Sequence, residues 1–429
     1  MLNIKNFLPK HMEDRGLLSL KENIDIINNI IEQRKVPKKG LKEEHIKLLL
    51  RILSFMDTDK DPKVIQIGER EGRVLTNLQR ESVFDFCHGV GRSGNLTDPQ
   101  PKAPGASIMY KLTNKILESF LKELGLNVNA IATPVATGMS IGLVLSTVRK
   151  IYKSDVVIYP YAAHKSPIKA TSFVGFRMRI VDTELFGDAL KVPVDNIEKA
   201  IKKEENPVVL STLTFFPPRE EDIVDIAKLC EEYDVPHIIN GAYAIQNTFY
   251  IDKLNKAFKY RVDAVVSSTD KNLFTPIGGA FIYTKNKKFL KEISFTYPGR
   301  ASANPIANTL ISLLYLGVDK YKELMKEQKR CKKLLDEQLE ELCKKIDERV
   351  LKVKNPISTA ITLKNSLDVA KKLYNLRVTG PRGVLGNDKF GTSCLKGYPY
   401  NYLVVNSAIG VKEEDIIKVI EKLKDILLN

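Results

Sequence analysis

Between Asp61 and Leu310 the chain alternates short apolar runs with amphipathic ones, and that alternation restricts the fold more than any other feature. "DVVIYP", "RMRIVDT", "PVVLSTLTFF", "VPHIING", "DAVVSST" and "GAFIYT" have strand lengths and are rich in β-branched residues. Between them lie "VDNIEKAIKK" and "EEDIVDIAKLCEEYD", with apolar residues at helical spacing. Near-continuous apolar strands separated by helices predict an α/β domain, its mainly parallel sheet covered on both faces. Ligands of such sheets sit beyond the carboxyl ends of the strands.

Two further zones flank this one. Leu17 to Gln33 and Leu41 to Met56 read as helices separated by the breakers in "KVPKKG". Their apolar faces need a partner surface, on the same chain or a second one. After Gly317 a charged helix, "KYKELMKEQKRCKKLLDEQLEELCKKI", leads to "STAITLK", "SLDVAKKLYNL", "YLVVNSAIG" and "KEEDIIKVIEKLKDILL". The expected division is 1–60, an N-terminal helical extension; 61–310, the catalytic α/β domain; and 311–429, a smaller α/β domain. No uninterrupted apolar stretch reaches the ~18 residues of a membrane span. The N-terminus lacks a basic-then-apolar signal pattern. Five widely spaced cysteines without a CxxC indicate neither a disulfide framework nor a zinc ribbon, so a reducing, cytoplasmic location is expected. With 67 basic and 52 acidic residues the net charge is +15, which suits a polyanionic partner and nucleic acid first.

The chemistry centres on "VVSSTDKNLFTPIGGAFIY", where Lys271 stands at the end of a buried strand. A lysine in a partly dry site can act as a neutral amine and condense with an aldehyde; taken alone it would be an ordinary loop lysine. Asn240 ends another buried strand, 31 residues earlier. "ATGMSIGLVL", with Thr137 and Gly138 at its start, opens an apolar helix whose backbone N–H groups suit a phosphate. His164 follows the intervening strand. Small turn, histidine, asparagine and lysine, in that order, match the pyridoxal-phosphate enzymes of the aspartate-aminotransferase fold, with Asn240 where an acidic residue usually meets the pyridine nitrogen. An amide there can hydrogen-bond but supplies no charge, so the ring should be a weaker electron sink.

Two loops complete the set. "CHGVGRSGNLTDPQPKAPG" carries Arg92, Ser93 and Gln100 among glycines that let backbone approach an anion, but it has no Walker pattern. "YPGRASANP" carries Arg300. Together with "EREGRV", "QPKAPGAS", "DKNLFTPIGGA" and "TGPRGV", these segments resemble the O-phosphoseryl-tRNA(Sec):selenocysteine-tRNA synthase family.

The resemblance implies a fold-type I, pyridoxal 5'-phosphate-dependent transferase that converts phosphoseryl-tRNA(Sec) to selenocysteinyl-tRNA(Sec) with selenophosphate. It gives Lys271 the cofactor Schiff base and Arg70 the cofactor phosphate. Asn240 and His164 would face and stack on the ring, with Thr137 and Gly138 beside it. Arg92, Ser93, Gln100 and Arg300 would clamp the substrate phosphate. Glu69 would repel substrates with a free α-carboxylate, and Arg382 would touch the tRNA acceptor end. A homotetramer with active sites at dimer interfaces is implied. For distal tRNA contacts, Lys259 or Arg261 and Lys424 stand as candidates.

Two other readings compete. Conversion of phosphoseryl-tRNA to cysteinyl-tRNA, or cysteine desulfuration, needs a sulfur relay, for which Cys87 and Cys394 are the loop cysteines. A catalytically silent tRNA-binding scaffold would carry no cofactor on Lys271.

Overall fold

The computed structural model describes residues 4, 7–160, 165–213, 217–220, 222–386 and 398–428. Its strands are β1 (Asn129–Thr133), β2 (Val156–Pro160), β3 (Arg177–Val181), β4 (Glu184–Phe186), β5 (Ala189–Lys191), β6 (Val208–Thr212), β7 (His237–Asn240), β8 (Ala264–Ser268), β9 (Ala280–Thr284), β10 (Ser358–Thr362), β11 (Arg382–Val384) and β12 (Tyr402–Asn406).

The main sheet has the order β1-β9-β8-β7-β6-β2-β3. β3, β2, β6, β7 and β8 pair in parallel, whereas β9 is antiparallel to both β8 and β1. Every residue of β2, β6, β8 and β9 is buried, as expected for strands covered by helices on both faces. β3 is the exception: it forms an edge, and only Val181 is buried. The smaller unit is a three-stranded antiparallel sheet, β10-β12-β11. Helices Ser366–Asn375 and Glu413–Leu428 cover it.

The N-terminal segments form helices Lys10–Gln33 and Glu43–Ser54. The first starts seven residues before the expected Leu17, because "KHMEDRG" is helical without contributing to the apolar stripe. Ile27, Ile30, Ile46, Leu49 and Leu53 are buried in the core of the large sheet, so the hairpin docks on its own chain. Met12 and Leu18 stay exposed. Helix Glu43–Ser54 crosses the start of helix Pro104–Glu123, where a Cβ on Gly105 would lie 1.7 Å from the carbonyl oxygen of Leu53. Asp57 Oδ1 accepts from the amides of Gly105 (2.9 Å) and Ala106 (3.2 Å), capping that helix from outside its own sequence. Burial pushes the Asp57 acid up to about 6, against those two hydrogen bonds.

Helix Asn304–Lys345 begins well before the expected start beyond Gly317. Gly317 nevertheless breaks it, with φ 58° and ψ −173°. The linker crosses at this break: Leu41 N–H donates to Leu314 (2.8 Å), and Val318 and Asp319 donate to Pro37 and Lys38 (both 3.0 Å). A Cβ on Gly317 would lie 2.7 Å from both Gly40 N and Lys38 O. Before the break Ile306, Leu310 and Leu314 belong to the large core; Cys331, Leu335 and Leu339 beyond it belong to the small one. Among the described residues no helix is long and apolar enough to cross a membrane.

Candidate active site

Lys271 lies in the one-turn helix Thr269–Leu273, which takes over directly from β8. Asn272 pins that turn: its amide donates to the carbonyls of Ser268 (2.6 Å) and Ala242 (2.8 Å), and its oxygen accepts from Ile245 N–H (3.3 Å). Gln246 donates to the Lys271 carbonyl (2.7 Å) and accepts from Ile409 N–H (3.1 Å), tying the lysine backbone to the smaller unit. The Lys271 side chain is 34% exposed. Its Nζ lies 3.1 Å from Asp270 Oδ2, 3.4 Å from Ser268 Oγ and 5.8 Å from the centre of the Tyr243 ring. Gly279 permits the close return of β9, since a Cβ there would meet Thr269 Oγ1 at 2.7 Å.

Asn240 ends β7, nearly fully buried, and its Oδ1 has no hydrogen-bond partner among the described residues. The same holds for Oγ1 of Thr137, the first residue of helix Thr137–Tyr152. Ala136 provides no side-chain cap, so the first N–H groups of that helix, including that of Gly138, lack the acceptor a capping residue would bring. Arg382, on β11, is close enough to act on the Tyr243 hydroxyl, which burial and then Asp270 push up while Arg382 opposes them. His164 lies outside the described residues.

An amide oxygen and a hydroxyl, both buried and without partners, together with an uncapped helix start and a lysine at the neighbouring strand end, fit pyridoxal phosphate. The ring nitrogen, the phosphate and the aldehyde each have a complementary group on this chain.

A second, anion-suited hollow lies elsewhere on the protomer. A cavity of about 460 Å³ is lined by Glu69, Arg70, Cys87, His88 and Arg300, among others. Backbone bonds in both directions between Val90 and Ala301 (2.9 and 3.1 Å) join the two arginine-bearing loops. Gly89 allows this at φ 68°, where a Cβ would lie 2.2 Å from the Ala301 carbonyl oxygen. Arg300 Nη2 donates to the His88 carbonyl, while its Nε is buried without a partner. Burial, then the charge of Arg70, pushes the Arg300 pKa below its usual value. Arg70 and Glu69 form an exposed pair at 3.5 Å. Arg92 and Ser93 stand exposed on a tight turn closed by Arg92 and Asn95 (2.9 and 3.0 Å). Gln100 N–H donates to Ser107 Oγ (2.9 Å).

Lys271, Asn240 and Thr137 do not line this cavity. One protomer therefore brings together Lys271 with Asp270 and Tyr243, and separately Glu69 and Arg70 with Arg300. The sequence reading missed Gln246, Asn272 and His88, which hold the reactive groups in place; polar residues inside apolar runs, as in "GAYAIQN", were the available signal.

Cys87 is half-buried, and burial raises its thiol above the usual value, which disfavours a thiolate relay. Cys394 lies outside the described residues. Arg261 is held by Asp263 (3.2 Å) and Asp234, so its charge is already engaged.

Residues 56–428 match the family model for "O-phosphoseryl-tRNA(Sec) selenium transferase, SepSecS". The chain is 73% identical over 432 residues to the O-phosphoseryl-tRNA(Sec) selenium transferase of Methanocaldococcus jannaschii, covering 99% of this chain and 100% of that one. The crystal structure of an archaeal O-phosphoseryl-tRNA(Sec) selenium transferase superposes with a TM-score of 0.97 at 60% identity, covering 99% of both chains. A sphingosine-1-phosphate lyase from Burkholderia pseudomallei, at 14% identity and TM-score 0.58, covers 99% of this chain and 92% of its own and shares the fold alone. The sheet and the lysine-bearing turn thus belong to a fold-type I pyridoxal-phosphate transferase, and the chain is a member of the O-phosphoseryl-tRNA(Sec) selenium transferase family.

Proposed function

We propose that this chain converts O-phosphoseryl-tRNA(Sec) to selenocysteinyl-tRNA(Sec): phosphate is eliminated across Cα–Cβ, the selenium of selenophosphate adds to Cβ as a proton returns to Cα, and water takes the phosphoryl group from selenium as a second phosphate. Pyridoxal phosphate, when bound, supplies the electron sink that makes the substrate's Cα proton removable. Lys271 would hold the cofactor aldehyde, and its Nζ would serve as the base for the substrate's Cα proton. Asn240 hydrogen-bonds the ring nitrogen without lending it charge. Phosphate is a good enough leaving group for that weaker sink to suffice. Thr137 and the N–H of Gly138 would hold phosphate oxygens at the helix start; the ring-stacking role that the resemblance gives His164 falls on a residue outside the described ones.

Arg92, Ser93, Gln100 and Arg300 bind the phosphate of the phosphoseryl group and stabilise the charge it gains as the Cβ–O bond breaks. The observation that supports the Arg300 part of this assignment is its approach to Arg70; Arg92, Ser93 and Gln100 do not line that hollow. Two cations share one hollow, one of them with its pKa depressed and with an unpartnered buried Nε. An anion between them relieves both penalties. Glu69 in the same hollow disfavours a free α-carboxylate, which in an aminoacyl-tRNA is an ester. Arg70 binds the cofactor phosphate.

Because Arg70 and Lys271 occupy different hollows of one protomer, this reading needs a second copy to complete each site. Exposed Ile65 (87%), Ile67 (91%) and Leu75 (97%) around Arg70, and Ile277 (85%) after the lysine turn, support such contacts. By the family resemblance the assembly is a homotetramer, with the extension 1–60 contributing to it, and Arg382 meets the tRNA acceptor end. The place of work is the cytoplasm.

The test is incubation with phosphoseryl-tRNA(Sec) and selenophosphate, beside free phosphoserine. Selenocysteinyl-tRNA should form from the first alone; turnover of free phosphoserine at a comparable rate would overturn the assignment of Glu69.

A further inference from the structure

A groove of about 1160 Å³ is lined by none of the residues given a role in the chemistry above. Helices Pro104–Glu123 and Lys287–Thr296, strand β1 and the end of helix Lys10–Gln33 enclose it. Its rim carries Arg34, Lys111, Lys115, Lys287, Lys288 and Lys291, against the single carboxylate of Glu118. Lys115 pairs with that carboxylate at 2.7 Å. The other five cations have no carboxylate within 4.0 Å among the described residues.

The spacing makes this arrangement costly in isolation. Lys111 and Lys115 are four residues apart on one helix, as are Lys287 and Lys291 on the other, with Lys288 three residues before Lys291. Like charges at these separations share a helix face and destabilise it. A polyanion in the groove reverses the sign of that interaction.

The groove also leads towards the phosphate-binding loop. Thr97 and Ser294 lie in its wall, and their hydroxyls are 3.1 Å apart. Ser294 Oγ also donates to Asn95 Oδ1 (2.9 Å), and Leu96 N–H donates to the Ser294 carbonyl (2.9 Å). Asn95 closes the turn that presents Arg92 and Ser93, and helix Lys287–Thr296 runs on into the loop of Arg300. A chain of phosphates lying along the lysines would thus arrive where a terminal phosphoseryl group is to be held.

We propose that the groove between helices Pro104–Glu123 and Lys287–Thr296 binds the phosphate backbone of RNA and steers its acylated end to the loop of Arg92. The proposal rests on the function proposed above for its direction of approach, but the binding itself does not require catalysis. The apolar floor at Ile108, Leu112 and Leu290 contacts ribose faces while the rim holds phosphates.

The experiment compares the full-length protein with the triple variant Lys111→Ala, Lys288→Ala, Lys291→Ala, using an unacylated tRNA transcript as probe across a salt series. Molar mass and borohydride labelling of Lys271 are measured in parallel. If each lysine meets one phosphate, the slope of log K against log salt becomes shallower by about 2.7, from −0.9 per contact. Between about 50 and 200 mM salt, wild type then loses about 40-fold more affinity than the variant. An unchanged slope overturns the proposal. So does a loss of affinity that tracks a fall in molar mass, which would make the groove a contact between copies of this chain. If wild type binds the transcript with the expected slope difference yet never turns over phosphoseryl-tRNA, the groove stands and the proposed reaction fails.

Discussion

The Lys271 Nζ lies 3.1 Å from Oδ2 of Asp270, its neighbour on the one-turn helix that follows β8. That turn is fixed by Asn272 and Gln246 rather than by the lysine itself, so removing the side chain should leave the backbone in place. Lys271→Ala is therefore expected to fold, with an unchanged denaturation midpoint, and to lose turnover and covalent cofactor. Borohydride reduction followed by peptide mapping should mark the peptide of Lys271 in wild type and none in the variant. A label on another lysine would remove the basis of the proposed chemistry.

Arg300→Ala and Arg92→Ala should keep the cofactor and lose phosphate release. Contacts that strengthen as charge develops on the leaving group are worth about 10²-fold or more in rate. Single-turnover release of phosphate from phosphoseryl-tRNA measures this directly. Wild-type rates in both variants would show that the hollow shared by Arg70 and Arg300 binds something else.

Cys87→Ser should retain selenium transfer within about two-fold of wild type. Its thiol is raised by burial, and phosphate elimination followed by addition of selenium needs no sulfur carrier. Loss of more than ten-fold with selenophosphate as donor would favour a relay.

His237 is fully buried, and burial lowers its pKa to about 4. Nδ1–H donates to the Arg261 carbonyl at 3.2 Å, so Nε2 accepts from Ser211 at 2.7 Å, and the ring is neutral. The unfolded imidazole protonates near 6.5. The contribution to stability is thus complete above that pH and is lost as pH falls from there towards 4, by about 3 kcal/mol in all. Denaturant melts of wild type and His237→Gln at several pH values should show their difference shrinking on acidification. A pH-independent difference would contradict this account.

Gly317→Ala should destabilise the chain by about 1–3 kcal/mol or more, because the residue combines φ 58° with a Cβ position 2.7 Å from backbone atoms of Lys38 and Gly40. The lowered urea midpoint should come with a loosened N-terminal segment, read as faster amide exchange at Leu41. Wild-type stability would mean that the linker does not lie against the break.

The α/β core was legible because strands buried on both faces leave continuous apolar runs: β2, β6 and β8 are each recognisable from five residues. Direction was not, since nothing in "GAFIYT" reveals that β9 runs against its neighbours. Lys271 stood out because a long cation is unusual where a buried strand stops. The approach of Arg70 to Arg300 could not be read from spacing, because the two residues lie more than two hundred positions apart and share a hollow only once the chain is folded. The resemblance had placed Arg70 at the cofactor phosphate and Arg300 at the substrate phosphate. The helix beyond Gly317 was legible, but the helical run from Asn304 up to the break was not; the linker carbonyls of Pro37 and Lys38, which accept from Val318 and Asp319, hold the chain through the break.

That resumed stretch also restricts the lengths the gene can tolerate. Gly317 is clamped at one end, and Cys331, Leu335 and Leu339 are embedded at the other. One inserted codon between them would turn everything downstream by about 100° and shift it by about 1.5 Å. The Gln246 side chain, upstream of the insertion, would then no longer meet Ile409 N–H, which now lies 3.1 Å from it. Insertions and deletions are therefore excluded from this span even where its outward-facing lysines and glutamates are freely exchangeable.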